Sequence, residues 1–354
     1  MKKERIISIV LACAFLFSGC SQAADNTVES TSVSSVTETS VTSESSEITE
    51  TTKVYEPFVF NPHVYSGKIA ERVPQDYWNS FYNLCDALRK GEKTFECSGQ
   101  DAYYWATNPS VLCNFFPAAG AKVEGKSDDG SPAFENGTGK IHYNMPVDDF
   151  LKRESDFEAF IEDILNNYIE KDDNEYERAL KLYLYVANNY VYDTSLVDKL
   201  DDDNFVYACF MEKRGQCVNF ASVYAYLLLQ AGIDAVNYSI YEDICHSWTY
   251  AVINGKGYHI DTTWALKKDD IDGIYLDYFM MSDKERESDG CNLKDPTVAV
   301  LPEGNVNQTN VKFNATDDHY VIRNYCTFLS LDEEKKIISY RDLYNETHEF
   351  YYGD

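Results

Sequence analysis

The chain is poor in positive charge. Its 31 Lys and Arg face 59 Asp and Glu, leaving a net charge of −28 over 354 residues. A surface this acidic repels phosphate backbones and anionic lipid, which excludes nucleic acid as a partner. The ten cysteines include no CxxC pair, so zinc-ribbon spacing is missing. The Asp-rich run 269–278 is no calcium loop, because Lys268 and Phe279 occupy the first and last ligand positions. No metal and no cofactor is therefore expected. No internal repeat is present. The apolar stretch from Ile6 to Phe17 is too short to span a bilayer comfortably.

That stretch instead follows a basic start (Lys2, Lys3, Arg5) and leads into Ser18-Gly19-Cys20. Residues 1–19 read as a signal peptide, and "LFSGC" resembles a lipobox, which implies acylation of Cys20 and a lipid anchor on the extracytoplasmic side of the cell membrane. Residues 20–54 are dominated by Ser, Thr and Glu without an aromatic, and read as a flexible tether. The folded part begins near Tyr55. An N-terminal α/β stretch is expected over 55–150, a core over 151–285 and a β-rich extension over 286–354.

Eight cysteines remain after Cys13 and Cys20: Cys85, Cys97, Cys113, Cys209, Cys217, Cys245, Cys291 and Cys326. An exported chain permits disulfides, but sequence assigns no pairs. Cys217 is set apart by its position. From Phe220, apolar residues recur at helical spacing through Tyr224, Leu227, Leu228 and Ala231, and Gly232 stands where a C′ glycine belongs. Gly215 and Gln216 break the pattern upstream, so Cys217 falls in the first turn.

After Gly232 the period changes from 3.6 to 2. "DAVNYSI" reads as a strand, and "HSWTYAVINGKGYHIDTTW" reads as two strands about Asn254-Gly255, a strong hairpin signal. A two-residue type I′ turn there pairs Ile253 with Lys256. Continued outward, that register sets Trp248 opposite Asp261 and puts His246 on the same face of the sheet. His246 and Asp261 become diagonal neighbours, roughly 7–8 Å apart along the backbone and within side-chain reach.

Thiol at a helix N-terminus, imidazole and carboxylate are the parts of an activated nucleophile. The helix dipole and a protonated imidazole favour thiolate, while the carboxylate fixes the ring. First-turn N–H groups can stabilise an oxyanion. Each residue also has a plain structural reading: Cys217 as buried filler, His246 as a satisfied sheet histidine, Asp261 as a paired carboxylate. His259 lies on the same sheet face and is the rival base. Gln216 and Asn219 are candidates to donate to an oxyanion, against an ordinary role in starting the helix. Trp248 is a candidate substrate contact, against simple packing. Cys245, next to His246, should point to the opposite face.

"GQCVNFASVYAYLLLQAGI", "HSWTYAVINGKGYHIDTTW" and "YFMMSD" resemble the bacterial transglutaminase-like superfamily. The resemblance spans roughly residues 155–285. It implies an α+β, papain-like core, a helix bearing Cys217 packed on an antiparallel sheet bearing His246 and Asp261, with these three as the triad, and a thioester intermediate resolved by water or an amine. Peptide, protein or cell-wall peptide substrates are implied. A surface lipoprotein using the fold as a non-catalytic binding module is the alternative.

Overall fold

Asn254 and Gly255 take left-handed backbone, with φ of 51° and 74°. This is the type I′ geometry whose twist matches that of the strands it joins. The strands His246–Ile253 and Lys256–Ile260 pair antiparallel from Lys256↔Ile253 to Ile260↔Thr249, the register expected from the turn. A third strand, Asp234–Ile240, lies on the other side of His246–Ile253, with Ile240 opposite His246. Single bridges extend both edges, His259 to Met281 and Ser239 to Thr297.

The computed structural model describes residues 56–193, 205–241, 244–268, 272–301 and 310–353. The expected signal peptide, Cys20 and tether lie outside them. No helix among the described residues is long and apolar enough to cross a membrane.

The helix Cys217–Gln230 packs along this sheet, buried from Asn219 to its end. Polar side chains of the sheet set its position. Thr249 Oγ1 donates to the Ala221 carbonyl at 2.9 Å, and Asn237 Nδ2 donates to the Val218 carbonyl at 3.0 Å. The helix stops at Gly232, φ +83°. Its N–H reaches Leu229 O at 3.1 Å while Ile233 N–H reaches Leu228 O at 2.8 Å, a Schellman closure of the last turn. Gly232→Val should therefore lower the unfolding free energy by about 1–2 kcal/mol, the cost of left-handed backbone for a side chain bearing Cβ. Urea denaturation would show it as an earlier midpoint at unchanged slope.

A second helix, Glu175–Asn189, packs against the first, and the Tyr224 hydroxyl donates to its Ala179 carbonyl at 2.8 Å. Asn174 caps it, and Glu177 completes the capping box from the third position. Buried Glu177 also accepts from Lys336 Nζ at 2.6 Å and from the Tyr352 hydroxyl at 2.7 Å. These bonds fasten the C-terminal meander, strands Thr327–Asp332, Ile337–Arg341 and Thr347–Tyr351, onto the helical layer. At the other end of the chain, Trp105 Nε1 donates to Val300 O at 2.8 Å and Ser66 Oγ to Asp234 Oδ1 at 2.6 Å. Glu56–Asp354 is accordingly one compact unit.

Among the described residues, the strands of the expected β-rich extension over 286–354 all fall between Thr327 and Tyr351. Residues 319–326 within it turn instead of forming a strand. The Asp277 carboxylate accepts from Tyr325 N–H and Cys326 N–H, each at 2.9 Å, and Asn324 and Tyr325 are left-handed. A short helix, Asp283–Ser288, was not anticipated, and the expected boundary after residue 285 falls inside it. The two short helices Gln100–Ala106 and Pro109–Phe115 also went unread.

Candidate active site

Cys217 is the first residue of its helix. Gln216 before it is extended, φ −118° and ψ 180°, because residues 214–215 pair in parallel with Val191–Tyr192. The chain therefore enters the helix abruptly, leaving the thiol half-buried at its N-terminal end. The first-turn N–H groups of a helix have no internal acceptor and point outward beside such a side chain.

His246 opens the central strand and is buried. Its Nε2 lies 2.6 Å from Asp261 Oδ2. Cys217 is within hydrogen-bonding reach of the same ring. With Nε2 engaged by the carboxylate, Nδ1 is the nitrogen that faces the sulfur. The indole of Trp264 lies parallel over the imidazole, ring centres 4.7 Å apart and planes 11° off, which fixes the ring's tilt.

Asp261 follows the last paired residue of its strand, Ile260, so the ladder stops one step short of the expected Trp248–Asp261 pair. The carboxylate instead caps the short helix Thr262–Ala265, a role Asp favours. Oδ1 accepts from Thr263 N–H at 3.0 Å and Trp264 N–H at 3.2 Å. Oδ2 accepts from His246 and, at 2.9 Å, from Arg286 Nη2. A fully buried carboxylate with four donors is held in one orientation.

Arg286 is the residue the sequence did not disclose. It is fully buried, and its guanidinium lies 4.4 Å from the ring centre of Trp248 and 4.3 Å from that of Trp264. A desolvated cation over two indoles, paired with a carboxylate, compensates much of the cost of burying charge. In sequence it sits in "DKERES", which reads as a solvated charged turn.

The electrostatics follow from this order of groups. Burial opposes charge on His246, but Asp261's charge and hydrogen bond, with Cys217's hydrogen bond, outweigh it, and its pKa is pushed up to about 9. Burial likewise opposes ionisation of Asp261, and His246 and Arg286 overcome it, holding the carboxyl below its usual range. The site therefore carries an imidazolium between a thiol and a carboxylate.

The remaining candidates divide. His259 is fully buried; its Nδ1 accepts from Trp248 Nε1 at 2.9 Å and its Nε2 meets Asp283 Oδ1 at 2.9 Å. Burial lowers its pKa despite Asp283. It is a neutral structural imidazole with both nitrogens engaged. Trp248 is buried with its N–H spent on His259, so it offers no surface to a substrate. Asn219 is also buried, and its Oδ1 accepts from Gln216 N–H at 2.8 Å, a bond that helps to start the helix. Gln216 itself is half-buried beside the thiol. Cys245 lies one residue before the strand, not on it. All eight described cysteines are thiols, so none of the permitted disulfides forms. Burial raises the pKa of Cys113 to about 12 and those of Cys291 and Cys326 to about 11.

Residues 162–262 match the family model of the transglutaminase-like superfamily. This stretch holds Cys217, His246 and Asp261 in that order. The chain carries a transglutaminase-like domain. The observed helix-on-antiparallel-sheet α+β core is the one the resemblance implied, and Arg286 lies beyond the matched stretch. Among solved structures, a proposed cysteine protease from Cytophaga hutchinsonii is similar at 18% identity, with 31% of this chain and 37% of that chain covered and a TM-score of 0.25. A TGase is similar at 19% identity, with 36% of each chain covered and a TM-score of 0.28. The chain thus spans little more than a third of the length of either. No curated protein matches significantly.

Proposed function

We propose that this chain is an exported, lipid-tethered thiol enzyme that cleaves or exchanges amide bonds in peptides. The observation that carries this reading is the run of contacts from Cys217 through His246 to Asp261, with an imidazolium at its centre. The Cys217 thiolate attacks the amide carbonyl carbon, and first-turn N–H groups receive the resulting oxyanion. His246 Nδ1 then gives its proton to the departing nitrogen, the C–N bond breaks, and a thioester remains on Cys217. Water or an amine attacks that thioester, its proton passes to His246, and the sulfur leaves as thiolate. Asp261, gripped by Arg286 and two backbone N–H groups, keeps the imidazole aimed through both halves.

Wild type and Cys217→Ala should be incubated with a panel of proteins, peptides and cell-wall peptides, with and without added amine. Mass spectrometry should find new termini or amine adducts with the wild type alone. Identical product profiles from the two proteins would refute the enzyme reading.

A further inference from the structure

Five large apolar side chains stand exposed on the segments that flank the thiol. Val191, Tyr192, Val218, Tyr241 and Ile244 are between 37% (Ile244) and 64% (Tyr241) exposed. The path of the chain brings them together. Val191–Tyr192 pairs alongside Arg214–Gly215, the segment that delivers Cys217. The Tyr192 hydroxyl is near enough to the thiols of both Cys217 and Cys245 to interact with each electrostatically. Val218 follows Cys217, and Ile244 precedes Cys245. Tyr241 follows Ile240, the residue paired with His246. Its strand runs back along the cysteine helix, with Asn237 bonded to the Val218 carbonyl. Tyr241 is the first residue past the end of this strand, and it is exposed.

Single exposed apolar residues are ordinary, but a group of them around one reactive atom marks a binding surface. What covers this one follows from the chemistry. A polypeptide that brings a carbonyl carbon to the Cys217 sulfur must lay its flanking residues, each spanning roughly 3.3–3.6 Å, across whatever borders that sulfur. On the segments bordering it, five of the exposed side chains are aliphatic or aromatic. The net charge of −28 disfavours acidic chains over the molecule as a whole.

We propose that this rim is the substrate-docking surface, and that it selects polypeptide segments with bulky apolar or aromatic side chains beside the amide attacked by Cys217. The proposal rests on the thiol-enzyme reading and adds the substrate class.

The test uses peptidyl acyloxymethyl ketones, which alkylate a docked thiol without needing turnover. One set carries Leu or Phe beside the ketone, a second Gly, and a third Asp or Glu. Intact-protein mass spectrometry follows labelling of Cys217, with iodoacetamide as a probe that needs little docking. The Leu and Phe probes should label at least roughly tenfold faster than the Gly and acidic probes, a difference of about 1.4 kcal/mol. Val218→Ser and Ile244→Ser should narrow that preference to within about twofold, while iodoacetamide still labels Cys217. Equal rates for all three sets, or faster labelling by the acidic set, would overturn the substrate class and leave the enzyme reading standing. Failure of every probe, iodoacetamide included, would overturn both.

Discussion

At pH 6, iodoacetamide should alkylate Cys217 in the wild type far faster than in His246→Ala, by roughly a hundredfold if the imidazolium is what supplies thiolate. A thiol of ordinary pKa, about 8.5, is less than about 1% thiolate at that pH. In the variant the imidazolium is gone and only the helix end remains to assist. Burial pushes the Cys113, Cys291 and Cys326 thiols above their usual range, so these three stay protonated at that pH and should label slowly. The sign of the pH dependence follows from His246. Its pKa is raised to about 9, so the imidazolium is present below that pH and lost above it. Turnover should therefore fall on the alkaline side with a midpoint near pH 9, the proton for the leaving amine having gone. The His–Asp attraction should also stabilise the fold fully below the unfolded histidine value of about 6.5, and this contribution is lost as pH rises through about 9. Equal labelling of wild type and His246→Ala at pH 6 would remove the activated-thiol model.

The second large effect belongs to Arg286. Replacing it with Met leaves the buried Asp261 carboxylate with one cation instead of two, and removing one member of a buried pair costs about 3–5 kcal/mol. Urea denaturation measures the loss. Arg286→Lys should recover little, since an ammonium cannot lie flat over the indoles of Trp248 and Trp264. A purely structural role would end there. A positioning role also moves the pH profile. Arg286 repels a proton on His246, so its removal should shift the alkaline limb above pH 9. Arg286 also holds the Asp261 carboxyl down, so the acid limb should move to higher pH. In Arg286→Met/Asp261→Asn the uncompensated charge is gone, and stability should return while thiol reactivity does not. An additive double-mutant cycle, or a pH profile unchanged in Arg286→Met, would show that Arg286 merely packs.

The parts of the site written in short-range code were legible in the sequence. Asn254-Gly255 dictates a turn, the turn dictates a register, and the register brings a carboxylate fifteen positions away to an imidazole. The cysteine helix declared both its ends through Gln216 and Gly232. What stayed hidden depends on segments arriving from elsewhere. Arg286 looked like one charge among several in an exposed turn, because nothing local says that two indoles wait for it. His246 and His259 share a sheet face, and the "HSW" context already favoured His246 as the base; the folded chain adds that Trp248 and Asp283 engage both nitrogens of His259. Trp248 was plausible at the site by position, and its indole N–H is taken up by a hydrogen bond to His259 that only the folded chain reveals.

The hairpin has a consequence for which changes this chain can tolerate. Asp261 reaches His246 because five paired residues, Lys256 to Ile260, count out the distance from the turn. Conservative exchanges within that run alter packing and little else. Deleting or inserting one residue there would reverse every side chain beyond it and turn the carboxylate to the opposite face of the sheet. The site should therefore survive drift in composition along this strand and fail on a change in its length.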